Sequence, residues 1–280
     1  MNGLRILNHH QPLTEKDTTN MTTKKHPQFI LALHAEAFAN FAEEHKKPGF
    51  SIDAFLDRAQ PYITIRERNH LDNRVFTNED GETWKGDRQY RQIVKYTALC
   101  WAETEDQPAR VAAFKRETTG EERLNGRVGI GFGGHTDLED VVHTDSVIDL
   151  KATLERATFR ELEEEVKLVN HETGDEVQIA DVCSTEGCIQ VALLVSDADD
   201  VSRLHVGVAQ IIILPRWVSV SARESEGQST VAPMTLADLA EYPNLENWSR
   251  MMAPELGSYL NRKVHTSCGA CAVCERGAGI

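Results

Sequence analysis

The sequence predicts an α+β fold with strands around one central helix and an added helical segment at the N-terminal end. Three observations predict it. Apolar residues recur at three- and four-residue spacing after Pro27 and again over 149–167, which is the helical period. Runs of β-branched and aromatic residues at 93–101, 110–114, 128–132, 176–183, 188–195 and 204–214 are strand-like. The strands do not alternate one-for-one with helices, which argues against a regular βαβ chain.

Residues 1–27 are polar, with Asn8-His9-His10-Gln11 and a Thr/Lys-rich stretch, and are expected to be a flexible tail. Residues 28–90 are expected to form a helical extension. Ile30, Leu33, Ala37, Phe38 and Phe41 make one side of a first helix, Glu43, Glu44 and Lys46 the other, and Pro48-Gly49 stops it. Ser51 to Arg58 forms a short second helix, and Asp80-Gly81 marks a turn. Residues 91–262 hold the main domain. Asp106-Gln107-Pro108 connects its first two strands, and Glu186-Gly187 connects two later ones. Val128-Gly129-Ile130-Gly131-Phe132 is rich in glycine, so something approaches its backbone closely. Asp149 is the N-cap of the central helix, whose apolar side is Leu150, Leu154, Ala157, Leu162 and Val166. Thr235 to Asp238 opens a short helix as a capping box, and a last helix covers 245–261. Residues 263–280 form a Cys-rich tail.

The charge balance is 30 Lys and Arg against 44 Asp and Glu, a net −14. Such a surface repels phosphate backbones, so sequence-independent duplex nucleic-acid binding is not expected. Phosphate compounds remain possible partners where metal ions stand between the two negative charges. No apolar run reaches the ~18–20 residues that cross a bilayer, and residues 1–25 lack a signal-peptide core. Six Cys without a secretion signal suit reduced thiols, and the expected location is the cytoplasm.

The segment that carries chemistry is Arg160-Glu161-Leu162-Glu163-Glu164-Glu165-Val166. Glu161, Glu164 and Glu165 stand at i, i+3 and i+4, so three carboxylates share one helical face. A hard dication, Mg²⁺ or Mn²⁺, turns their repulsion into attraction. A solvated acidic helix face is the other reading of that spacing. The segment, with Gly133-Gly134-His135 before it, resembles the Nudix hydrolase family. That box reads Gly, five residues, Glu, seven residues, then Arg-Glu-apolar-x-Glu-Glu-x-Gly-apolar. Lys167 stands where the box has its second Gly. Counting back from Arg160 puts Ala152 where it has its first Glu. Twenty-five residues (135–159) separate Gly134 from Arg160 against thirteen in the box, so an acidic insertion of about a dozen falls in His135 to Ile148, with Asp137, Glu139, Asp140 and Asp145. A branch of larger bacterial and phage Nudix phosphoesterases is also similar over the 204–214 strand, Arg223-Glu224-Ser225-Glu226 and Leu245-Glu246-Asn247-Trp248-Ser249. The resemblance covers roughly 90–262.

The resemblance implies a mixed sheet between helices and Mg²⁺-dependent hydrolysis of a nucleoside diphosphate linked to another group. Glu161, Glu164 and Glu165 would hold the metal with a carbonyl of Gly133 or Gly134, and Arg160 would orient the glutamates. Glu224 or Glu226 would supply the further acidic group that family members use, and His135 would touch a substrate phosphate or bond within the protein. Ala152, Lys167 and the insertion also suit a nucleotide-binding sensor or partner surface on the same fold.

Gly129, Gly131 and Gly134 satisfy Gly-x-Gly-x-x-Gly, but they lead onto Asp and Glu rather than into a helix, so as a dinucleotide fingerprint the motif is weak. His265, Cys268, Cys271 and Cys274 suit a Cys₃His zinc site, or are a frayed terminus; an iron–sulfur run lacks its fourth Cys. Cys100, Cys183 and Cys188 are expected as buried thiols, and Trp101 and Trp217 as core aromatics, with base stacking by one of the two as the other reading.

Overall fold

Ile30, Leu31, Ala32 and Leu33 are all buried. Four buried residues in a row suit a strand covered on both faces, whereas a surface helix would expose part of its circumference. The first predicted helix is accordingly strand β1 (Phe29–His34), followed by one 3₁₀ turn over Ala35–Phe38. The misreading has a physical cause: a short apolar run satisfies both periods. The computed structural model describes residues 27–38, 41, 51–78, 80–117, 125–183, 188–197, 200–223 and 228–260.

Helix α1 (Ile52–Ala59) starts where expected, with the Ser51 hydroxyl accepting from the Ala54 N–H at 3.3 Å. Strand β2 (Ile63–Glu67), helix α2 (Arg68–Asn73) and the hairpin β3 (Val75–Thr77)–β4 (Thr83–Lys85) complete the N-terminal part. The Asp80-Gly81 turn lies in that hairpin, with Gly81 at φ +80°. Next come β5 (Tyr90–Trp101), β6 (Arg110–Arg116), β7 (Val128–Gly129) and the hairpin β8 (His143–Thr144)–β9 (Val147–Ile148). The central helix α3 (Leu150–Glu165) is followed by β10 (Val166–Asn170), β11 (Glu176–Val177), α4 (Ile179–Val182), β12 (Cys188–Leu194) and α5 (Asp200–Leu204). The chain then runs through β13 (His205–Ile213), β14 (Val218–Ala222), β15 (Gln228–Thr235), α6 (Leu236–Glu241) and α7 (Asn247–Leu260). The strand expected over 176–183 is thus two strand residues and a short helix. Glu186-Gly187 lies outside the described residues.

The main sheet is mixed. Its path is β12-β13-β5-β1-β2, with β13 parallel to β5 and the other neighbours antiparallel; β6, β7 and β15 branch from β5. β1 and β2 lie in this sheet, so residues 28–90 are not a helical appendage but share a sheet with the rest. A second sheet, β11-β10-β14, continues from the end of α3.

Along β5 the side chains alternate. Ile93, Leu99 and Trp101 face α3, while Tyr96, Ala98 and Cys100 face α7 through Met252, Leu256 and Leu260. The N-terminal half of α3 (Leu150, Leu154) meets Phe55 and Leu56 of α1, and its C-terminal half (Leu162) meets Phe114 and Phe132. Each such buried side chain contributes roughly 1.5–3 kcal/mol. Trp101 is core, as expected, with its indole N–H donating to the Val218 carbonyl at 2.9 Å; Trp217 packs on the same cluster. Cys100 and Cys183 are buried, as expected.

A buried polar relay fixes α3 on the sheet. The Gln210 side-chain oxygen accepts from Lys95 Nζ at 2.8 Å, and its NH₂ donates to the hydroxyls of Thr97 and Thr158, each at 3.0 Å. Thr158 in turn donates to the Leu154 carbonyl at 2.9 Å. Satisfied relays of this kind specify one rotation of a helix over its sheet.

β5 and β6 pair only at Cys100↔Val111 and Trp101↔Arg110. The glycine-rich segment fills the fork beyond that point. Val128 and Gly129 pair with β6, and Phe132 and His135 bridge to Thr97 and Val94 of β5. Only its first two residues form a ladder strand, so the strand expected over 128–132 is shorter.

Candidate active site

Each glycine of the fork leaves room for a named neighbour. A Cβ on Gly131 would lie 2.1 Å from the Tyr96 ring, and one on Gly129 would lie 2.9 Å from the Glu246 carboxylate and 2.5 Å from the Phe114 ring. At Gly133, φ is +138° and a Cβ would come 2.2 Å from the Lys95 carbonyl oxygen, so any side chain there is both strained and blocked. At Gly134 a Cβ would come 2.6 Å from Glu161 Oε1. The close approach read from the sequence is therefore real, and at Gly134 the approaching group is an acid of α3.

Asp149 caps α3, its side chain accepting from the Ala152 N–H at 3.0 Å. The helix delivers two of the three predicted carboxylates to the corner. Glu161 and Glu165 are each only 9% exposed. Glu165 Oε2 accepts from the Gly133 N–H at 2.6 Å, and its Oε1 accepts from Gln228 Nε2 at 3.2 Å. Glu164 differs: its side chain is 52% exposed and it pairs with Arg160 Nη1 at 3.1 Å, so it does not converge with the other two. Burial pushes the Glu161 carboxyl up to about 8, with Arg160 opposing the rise and Glu165 and Glu164 adding to it.

Arg160 spans the site. Its Nη2 lies 3.0 Å from Glu161 Oε1 and donates to the His135 carbonyl at 2.9 Å. Its fork also grips Asp140, Nε to Oδ1 at 2.9 Å and Nη2 to Oδ2 at 2.8 Å. These bonds to Asp140, helped by Glu161, hold the guanidinium above its ordinary range. Asp140 is 1% exposed and also accepts from the Asp137 N–H at 2.8 Å.

Asp140 was within reach of the sequence. Gly134, five residues, then Asp140 reproduces the first half of the box with Asp for Glu. Counting backward from Arg160 gave Ala152 because the insertion lies between Asp140 and Arg160: 141–159 is nineteen residues where the box has seven. That stretch makes the β8–β9 hairpin and the start of α3, on which α1 packs. Gln60 ties the two, its Nε2 donating to the Ile148 carbonyl and its Oε1 accepting from the Leu150 N–H at 3.3 Å. Lys167 causes no conflict. The helix is capped by Val166 in extended conformation (φ −124°, ψ 153°), and Lys167 continues as a strand residue opposite Ser221.

A second cluster adjoins Glu165. Arg116 Nε donates to Glu246 Oε1, and Glu246 Oε2 accepts from the Tyr96 hydroxyl at 3.4 Å. Burial alone would depress the Arg116 guanidinium, but Glu246 and Glu165 more than offset it. No spacing rule singled out Arg116, Glu246 or Gln228, which meet only because β6, β15 and the entry to α7 converge.

His135 pairs across the sheet with Val94, which places its ring on the α7 side, beside His205 and away from Glu161. Glu224, Glu226, His265, Cys268, Cys271 and Cys274, with the zinc site suggested for the last four, lie outside the described residues, as does the Cys188 side chain. Among the described residues no three His, Cys, Asp or Glu form a ready metal-holding group, and no helix is long and apolar enough to cross a membrane.

No family model matches the chain. It is 26% identical over 171 residues to protein YmaB of Bacillus subtilis, covering 59% of this chain and 71% of that one. Tm1382, a crystal structure described under the Nudix hydrolase name, superposes with a TM-score of 0.53 at 20% identity, covering 84% of this chain and 99% of that one. The Nudix hydrolase of Alicyclobacillus acidocaldarius gives 0.39 at 12% identity over 62% of this chain and 94% of that one. The Tm1382 match carries the comparison, spanning nearly the whole of the smaller protein, and on it this chain has the Nudix hydrolase fold.

Proposed function

We propose that the protein is a divalent-cation-dependent hydrolase of phosphoanhydrides. Its substrate is a nucleoside diphosphate linked to another group, such as a nucleotide sugar, ADP-ribose or a dinucleoside polyphosphate. The observation that carries this reading is the burial of Glu161 and Glu165 side by side against Gly133-Gly134. Two adjacent acids are costly to bury unless a cation compensates them.

The residues fit such a cation. The donors are all oxygen, which selects Mg²⁺ or Mn²⁺. Glu161 and Glu165 would hold it. The Gly134 carbonyl already accepts from the Lys95 N–H at 2.9 Å, which makes Gly133 the better backbone donor of the two. When bound, the cation would neutralise phosphate charge and acidify a water. The chain's own part is positional. Asp140 locks Arg160, Arg160 holds Glu161 by its headgroup, and the Gly133 N–H and Gln228 fix both oxygens of Glu165. Asp140 also supports catalysis over the nucleotide-sensor reading, because it supplies the acidic partner that Ala152 lacks.

The test is direct. The full chain is incubated with Mg²⁺ and a panel of nucleotide sugars, ADP-ribose and dinucleoside polyphosphates, and products are resolved by chromatography. The expected result is cleavage within the diphosphate bridge of at least one compound, abolished by EDTA. Saturable binding of a panel member without turnover would favour the sensor instead.

A further inference from the structure

On the sheet face opposite Glu161, the pairing places His205 of β13, Gln92 of β5 and the bridging residue His135 on one face of β5, with the two imidazoles in contact. His205 opens β13 and pairs with Gln92 of β5; His135 pairs with Val94 on the other side of the same strand. The two imidazoles reach toward each other over β5, with Nε2 to Nε2 at 3.1 Å and ring centroids 5.2 Å apart. Both histidines are half-buried.

The Gln92 side chain is 1% exposed, and its Oε1 has no hydrogen-bond partner among the described residues. Its Nε2 donates to Asp72 Oδ1 at 2.5 Å. That bond settles the amide orientation, since a carboxylate only accepts. The oxygen is therefore a buried acceptor left without a donor, which ordinarily costs about 1–3 kcal/mol. Such a group implies something that fills it.

We propose that His135 Nε2, His205 Nε2 and Gln92 Oε1 form a binding site for one borderline transition-metal dication, of the zinc, nickel or copper class, separate from the carboxylate corner. Two imidazole nitrogens at about 2.0–2.1 Å from one ion stand about 3.0–3.4 Å apart, depending on the angle, which brackets the observed separation. Imidazole nitrogen with one amide oxygen suits these ions and not Mg²⁺, so the two sites sort cations by donor type. Of the charged groups around the site, Arg160, which Asp140 and Glu161 already pair, opposes a cation, and so does Arg68. Arg68 is offset by Asp72, whose Oδ2 lies 3.4 Å from Arg68 Nε and whose Oδ1 orients Gln92. Asp72 thus acts as the outer partner that orients a ligating side chain. The Trp248 ring stands 6.5 Å from that of His205 and walls the site on the α7 side. Because the His135 carbonyl accepts from Arg160, an ion here bears on the same loop that meets Glu161.

The test titrates Zn²⁺ into the full chain by calorimetry, alongside His135→Asn, His205→Asn, Gln92→Leu, Glu161→Gln and a triple Ser variant at Cys268, Cys271 and Cys274. One Zn²⁺ equivalent is expected to disappear in both histidine variants, to weaken at least roughly tenfold in Gln92→Leu, and to persist in the Glu161 and Cys variants. Copper loaded into the triple Ser variant should show electron-spin coupling to two nitrogens, which guards against a histidine variant that fails to fold. Zinc stoichiometry unchanged in folded histidine variants, or copper without nitrogen coupling, overturns the proposal.

Discussion

The Asp140 carboxylate receives the Arg160 guanidinium through two bonds, 2.9 and 2.8 Å long, across a nineteen-residue stretch (141–159) of intervening chain. This pair ties the start of the insertion to the helix that carries Glu161 and Glu165. Asp140→Ala removes one partner of a buried pair and should lower unfolding free energy by about 3 kcal/mol, at the low end for such pairs because Arg160 keeps Glu161 and Glu164. Urea unfolding measures this. Asp140→Glu, the residue that the family box carries, should recover most of the loss; equal loss in both variants would mean that charge pairing is not what Asp140 supplies.

Gly134 is a matter of room. Gly134→Ala places a methyl 2.6 Å from Glu161 Oε1, so the carboxylate must swing away. Magnesium affinity is expected to fall by roughly tenfold or more, as for other losses of ligand support, while the far-UV spectrum stays unchanged. Calorimetric titration of Mg²⁺ reads the effect.

Glu161 gives the metal-free protein a pH signature. Its folded carboxyl titrates near 8, against 4.5 as the ordinary value, so the native state binds the extra proton between these limits. Stability is then greatest below the ordinary value and falls as pH rises toward about 8. The melting temperature in EDTA should decline over that window, and the decline should shrink in Glu161→Gln. An identical slope in the variant would show that other groups set it.

Lys167 occupies the family's glycine position without needing glycine's freedom. Lys167→Gly should leave turnover unchanged and cost about 0.5–1 kcal/mol, because glycine weakens a strand interior. Paired kinetic and thermal measurements test both halves.

Much of this was legible in the residues. α3, its Asp149 cap, the Thr235 capping box, and strands β5, β6, β12 and β13 follow from periodicity and capping chemistry, which are local. β1 did not, because a four-residue apolar run carries no period of its own, and only pairing with β5 and β2 makes it a strand. Glu161 and Glu165 could be placed on one face of a helix, but the i, i+3, i+4 spacing did not set Glu164 apart from them; its exposure follows from how the helix is rotated over the sheet. Asp140 was hidden by the direction of counting across an insertion. Arg116 and Gln228 carried no local signal, and Glu246, though part of a family-like segment, could not be tied to them, because the three come from distant parts of the chain and meet only through tertiary geometry.

The most direct measurement of the central claim compares Mg²⁺-dependent hydrolysis by the wild type, by Glu161→Gln with Glu165→Gln, and by Glu164→Gln alone. The double variant should lose at least ~10²–10³-fold in kcat, the range seen when a preorganised electrostatic group is removed. Glu164→Gln, whose side chain is 52% exposed, should lose far less. Turnover by the double variant close to wild type would contradict the assignment of the buried carboxylate pair as the cation-holding centre.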